Sequence, residues 1–191
     1  MGMSSSESAT ALKRTVIIAI FAAVAVVLSL VEAQIPLSGM GMVPGAKLGL
    51  ANIMILTCIF FLRGRDAFLL VVLKTLLTAF ILGTFSSLLF SLFGSLFSFV
   101  VMYLLMLIGG KQLSLIGISI AGGVAHNIGQ LLAASMVFAS LKIFYYLPML
   151  LITGVVTGVA VGFAVRYLVT SLSKISLFEE FLDDPGDAAK G

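Results

Sequence analysis

Six polar side chains stand in stretches otherwise apolar enough for lipid: Lys47, Asn52, Lys74, His126, Asn127 and Gln130. Two carry ammonium groups, and one is the single histidine of the chain. His126 and Gln130 are four residues apart, so on a helix they project from one face about a turn from each other. Gly122 and Gly123 lie one turn earlier on that side and are expected to leave room beside them. Polar side chains at membrane depth are costly unless they face protein, water or a ligand. With two ammonium groups, an imidazole and no deep carboxylate, the set favours an anionic or strongly hydrogen-bonding ligand over a cation. It also argues against a proton- or sodium-coupled pump, which usually relies on a buried Asp or Glu. His126 and Asn127 serve equally well as hydrogen-bonding cross-links between helices or as ligand contacts. No catalytic residue and no metal-ligand set is assigned.

The surroundings of these residues set the protein class. Apolar residues make up 61% of the 191 and charged residues only 10%, with mean hydropathy +1.24. A soluble domain is nearer one quarter charged. The chain therefore reads as an all-α integral membrane protein with the lipid bilayer as its first partner. Its basic residues form no stripe with interleaved aromatics, which excludes nucleic acid as a partner. The lone Cys58 lies in an apolar run and has no second cysteine to pair with. Gly110-Lys111 lacks the flanking residues of a phosphate-binding loop, so ATP hydrolysis by that motif is excluded.

Residues 1–12 are rich in Ser and Ala and read as a disordered N-terminus; residues 13–173 hold six apolar runs, and residues 174–191 form an acidic tail. The runs are Thr15–Val31, Leu48–Leu62, Ala67–Leu82, Leu88–Ile108, Leu113–Ala139 and Leu147–Val169, each read as a transmembrane helix. Between the first two lies a Gly/Pro-rich stretch with Glu32, Pro36, Gly39, Gly41, Pro44 and Gly45. It is too long for a minimal turn and still apolar, as lids and re-entrant segments are. Ala19 and Ala23 on the first run, and Gly154, Gly158 and Gly162 on the last, have the small-residue spacing that lets helices approach closely in lipid. For the alanines, a partner protein and packing within the chain remain equal alternatives.

Six spans put both termini on one side. Placing that side in the cytoplasm collects Lys13, Arg14, Arg63, Arg65, Lys111, Arg166, Lys174 and Lys190 there, as the positive-inside rule asks. At about 1.5 Å of rise per residue, Lys74 is expected about 12 Å above the cytoplasmic boundary and His126 about 21 Å above it. Asn52 enters from outside, just below Lys47. The six polar residues are thus expected to converge on a cavity open to the outer face, with the 32–47 loop over it.

The stretch Pro44-Gly45-Ala46-Lys47-Leu48-Gly49-Leu50-Ala51-Asn52-Ile53, taken with Gly117–Gln130, resembles the Gx transporter membrane proteins, also labelled heptaprenyl diphosphate synthase component I. The resemblance runs from about Lys13 to Ser173. That family is in turn similar to the substrate-binding S components of energy-coupling factor (ECF) vitamin transporters. The similarity implies a six-helix bundle with an outward pocket and a covering loop, in a bacterial cytoplasmic membrane. It further implies Ala19 and Ala23 as the face offered to an ECF-type transmembrane coupling protein with its ATPases, unless the chain works alone. Some relatives accompany Rnf-type electron transfer and flavinylation, which makes a flavin the implied transported ligand rather than a bound cofactor. Where this chain has Lys74 the family often has Arg, so charge is kept but bidentate geometry is not.

The synthase label points to another chemistry, isoprenoid diphosphate metabolism. Asp183-Asp184-Pro185-Gly186-Asp187 spells the DDxxD motif of prenyl synthases. It stands alone in a Pro-Gly-broken acidic tail, with no second aspartate motif and no enclosing soluble helical domain. The reading adopted is a non-enzymatic transporter or substrate-capture subunit, with an isoprenoid role as the alternative.

Overall fold

The computed structural model describes residues 5–35, 47–109, 113–179 and 181. Six of the expected lid, loop and tail positions (Pro36, Gly39, Gly41, Pro44, Gly45 and the Asp183 motif) lie outside the described residues, as does Lys111. The rest is helical: α1 (Ser5–Ala33), α2 (Asn52–Phe61), α3 (Gly64–Leu82), α4 (Phe85–Gly109), α5 (Leu115–Val137), a 3-10 segment Leu141–Tyr146, α6 (Leu147–Leu172) and a short α7 (Ser176–Glu179).

Burial is inverted relative to a soluble protein. Phe80, Phe85 and Ile108 are more than 70% exposed, whereas Lys74, Glu32 and His126 are each 2% exposed. Large apolar side chains facing outward around a polar interior are what a lipid solvent selects. Among the described residues α1, α4, α5 and the stretch 141–172 are long and apolar enough to cross a membrane. Exposed Tyr145 and Tyr146 at one end of α6 and Tyr167 near the other sit where aromatic residues mark membrane–water boundaries.

Two of the six expected spans differ from a plain crossing. α3 is 19 residues long but carries Arg65, Asp66 and Lys74. α2 has 10 residues, about 15 Å of rise, which is half a hydrocarbon core. Its residues are buried nearly all round, Ile55, Leu56 and Cys58 completely. A short helix shielded by protein has no need to match the bilayer thickness. Its start is tightened by three-residue bonds from the Asn52, Ile53 and Met54 N–H groups to the carbonyls of Gly49, Leu50 and Ala51.

The described residues nearest each end are helical or packed on the bundle. Residues 5–12, expected as disordered, are the first turns of α1. Of the acidic tail expected from residue 174, the first described residues fold back: Phe178 is 4% exposed and packs on Phe21 and Phe61, with ring centroids 6.1 and 4.9 Å apart. The same end of the bundle holds the α2–α3 turn. There Asp66 accepts from the Arg63 N–H at 3.2 Å and lies 3.6 Å from Arg14 Nε.

α5 is central, packed between α4 and α6. The α6 glycines serve this contact within the chain. A Cβ on Gly158 would lie 2.5 Å from Ile120 Cα, one on Gly162 2.7 Å from Ile116 Cα, and one on Gly154 3.0 Å from the Gly123 carbonyl oxygen. Gly122 and Gly123, expected to leave room beside the polar groups, instead admit Met102 and the Gly154 backbone. Ala19 and Ala23 instead face outward, while Ala22, Ala25 and Ser29 carry the inner side of α1. Gly158→Val should therefore lower the stability of the detergent-solubilised protein by about 1–3 kcal/mol, whereas Ala19→Val should stay within about 0.5 kcal/mol in the same thermal melt.

Candidate functional site

The buried polar groups gather where the C-terminal ends of α1 and α5 meet the N-terminal ends of α2, α4 and α6. The anchor is Gln130. Its Oε1 accepts from the Lys47 N–H at 2.9 Å, and its Nε2 donates to the Lys47 carbonyl oxygen at 3.1 Å. A side-chain amide thus pairs with a backbone residue at two points, holding the chain just before α2 against α5.

This pairing decides the state of the imidazole. A backbone N–H only donates, so the atom it meets on Gln130 is the oxygen, and the other atom is the amide –NH2. That –NH2 lies 2.7 Å from His126 Nε2, which must accept and carries no proton. His126 is therefore neutral with its hydrogen on Nδ1. Nδ1 faces the Gly94 backbone of α4 without a hydrogen bond of good geometry. Gly94 is required for this approach: a Cβ there would lie 2.8 Å from His126 Cε1 and 3.0 Å from Gln130 Cγ. Gly49 is required on the other side. Its φ of +85° suits glycine, and a Cβ would meet Asn52 Nδ2 at 2.8 Å and His126 Cδ2 at 3.1 Å.

The ammonium groups line up along α4. Lys47 Nζ lies 3.1 Å from Ser87 Oγ, and Lys74 Nζ 3.2 Å from Ser91 Oγ, one helical turn further on. Facing both is a carboxylate that the sequence reading placed in the lid. Glu32 is no loop residue: it sits in the last turn of α1, 2% exposed, and accepts from the Gly49 N–H. It interacts electrostatically with Lys74 and Lys47. The expectation of no deep carboxylate is thus corrected. With His126 neutral, the cluster sets two lysine side chains against one glutamate.

The six expected site residues do not all meet there. Lys47, Lys74, His126 and Gln130 are joined as described, and Asn52, 3% exposed, abuts them through Gly49 with its Oδ1 making no hydrogen bond among the described residues. Asn127 turns away and donates to the Leu150 carbonyl oxygen at 2.6 Å, tying α5 to α6. Sequence reasoning assigned Glu32 to the lid and missed Ser87, Ser91, Gly49 and Gly94. The Ser87/Ser91 pair did leave a signal, two hydroxyls a turn apart in an apolar helix. Glu32 read equally as an interfacial acid or as the counter-ion to Lys47, and its depth left no signal.

With this arrangement in hand, comparison with known proteins is informative on one point. The profile of the family described as heptaprenyl diphosphate synthase component I matches residues 21–168, most of the chain. The chain belongs to that family. The matched span contains every residue of the cluster. No curated protein and no solved structure matches the chain. Within this family member the lone histidine gives a clean test of the hydrogen-bond logic. Nitrogen-15 NMR of the labelled protein should show one protonated and one bare imidazole nitrogen, with the proton on Nδ1. Gln130→Glu, which replaces the donating –NH2 with an acceptor, should put a proton on Nε2.

Proposed function

We propose that the protein is a membrane-embedded transporter or substrate-capture subunit for a small organic cofactor or precursor, and not an enzyme. The observation that supports this reading is the cluster itself: Lys47, Lys74, Glu32, His126 and Gln130, buried together within apolar helices. Ammonium groups in such a place require stabilisation beyond one serine each and a shared carboxylate. A ligand bearing acceptor atoms and negative charge matches both the donor-rich lining and the excess of one lysine over the single glutamate. A flavin, with its carbonyl-rich ring and, in mononucleotide form, a phosphate, is the leading candidate.

The six crossings and cytoplasmic termini belong to the same proposal. Arg14, Arg63, Arg65 and Asp66 lie at one end of the bundle and the cluster toward the other, so the positive-inside rule places the cluster in the outer half of a bacterial inner membrane. α2 then makes its crossing from the level of the cluster rather than from the membrane surface. Ala19 and Ala23, exposed on α1, are the face available to a coupling protein if the chain works with one.

The family name supports an isoprenoid diphosphate as the competing ligand. A diphosphate is multiply charged, more than two lysines opposed by a glutamate balance without further cations. Among the described residues no three His, Cys, Asp or Glu side chains come together to hold one.

Mass spectrometry of small molecules retained by the gently purified protein is the direct experiment, followed by titration of whatever is retained. Lys74→Ala and His126→Ala should each weaken binding about tenfold or more, the loss expected for a hydrogen bond to a charged or buried group. Unchanged affinity in both variants would overturn this placement. Prenyl transfer by the pure protein, abolished by Asp183→Ala, would establish the alternative.

A further inference from the structure

Among the described residues two sets of helical hydroxyl groups contrast. Thr15, Thr57, Thr153, Thr157 and Thr170 each donate to the carbonyl oxygen one turn earlier, at 2.7–3.0 Å. Thr75, Thr78, Ser95 and Ser119 sit in equally regular helices, are at most 2% exposed, and have no hydrogen-bond partner among the described residues. Bonding back to the helix is the easy way to satisfy a hydroxyl in an apolar setting. Four buried hydroxyls that leave that option unused, within one part of the bundle, call for a partner of another kind.

Their placement says where that partner runs. On α4, Ser87, Ser91, Ser95 and Ser98 recur at intervals of four, four and three, one continuous face. On α5, Ser119, Gly122, His126 and Gln130 recur at three, four and four. The two faces meet: Gly94 abuts His126 and Gln130, and a Cβ on Gly122 would lie 3.1 Å from Ser98 Oγ. Lys74 joins them from α3, with Thr78 one turn beyond it on the same side. From Gln130 to Ser119 this seam descends about 17 Å, over half a hydrocarbon core, to within about 6 Å of the start of α5. Met102, its thioether 3.9 Å from Ser98 Oγ and pressed against Gly122, narrows the seam between the levels of Ser98 and Ser119.

We propose that the facing polar stripes of α4 and α5 form a hydrated passage, holding water along Ser95 and Ser119 and connecting the Lys74–His126 cluster with the opposite end of the bundle. The proposal rests on the reading of that cluster as a site within the membrane, and adds a second way into it. Water bound between hydroxyls is a partner of the right size and valence, each molecule satisfying two to four polar groups. Met102, unbranched and flexible, is the constriction.

The test uses the full-length protein in liposomes, with Cys58→Ala removing the native thiol. Ser95→Cys, Ser119→Cys and, as a buried apolar control on α6, Val165→Cys are exposed to a small charged methanethiosulfonate reagent without added ligand. A thiol in a hydrated passage ionises and meets the reagent, whereas one in apolar packing does neither, so Ser95→Cys and Ser119→Cys should react about tenfold faster than Val165→Cys or more. Adding Met102→Ala should speed the reaction at Ser119→Cys further. Reaction of both serine replacements at the control rate, in protein that elutes as the parent does, would overturn the proposal. Because no ligand is present, that result is separate from failure of the ligand-binding experiment, which reads the cluster alone.

Discussion

The paired hydrogen bonds between the Gln130 amide and the Lys47 backbone hold the cluster in register. They fix the chain immediately before α2, and with it the Lys47 ammonium over Ser87 and the left-handed Gly49 beside the imidazole. Using both faces of one amide leaves its second hydrogen for His126 Nε2 alone, which sets the tautomer. In lipid, a side chain that satisfies a backbone carbonyl and N–H together replaces a turn of helix. This permits α2 to begin inside the bundle with only 10 residues.

Electrostatics then follow from geometry. Lys74 and Lys47 repel, and each would be costly to bury alone. Glu32, held by the Gly49 N–H at the end of α1, supplies an opposing charge to both. The Gly49 contact joins α1 to the segment that Gln130 joins to α5, so helices far apart in sequence share one polar node. The apolar outer surface needs no such precision, since lipid accommodates any arrangement of Phe, Leu and Ile side chains.

The helical class and four of the cluster's residues were legible in the sequence because each rests on a local property. Hydropathy marks runs, and a lone His or Lys within one is conspicuous. What was not legible depended on who faces whom. Gly122 and Gly123 have the same composition whether they make space or consume it, and only the approach of Met102 and α6 decides. Asn127 beside His126 read equally as a ligand contact or a helix cross-link, and the 100° turn between successive helical residues sends it to Leu150 as a cross-link. Glu32 sits at the boundary between helix and loop, where a one-turn difference in the helix end separates a surface acid from a buried one. The small-residue pattern was informative about closeness and silent about the partner: α6 uses it inward and α1 leaves it outward.

The glycine contact between α5 and α6 has a mechanical consequence. Where backbones touch without intervening side chains there are no rotamers to exchange, so the two helices have no alternative packing close at hand and behave as one stiff plate. Any change of shape that loads or empties the cluster must be taken up across from that plate, by α1, α2 and α3. Gly83, left-handed at φ +69° and with open space around its missing side chain, gives the α3–α4 corner a natural hinge for it.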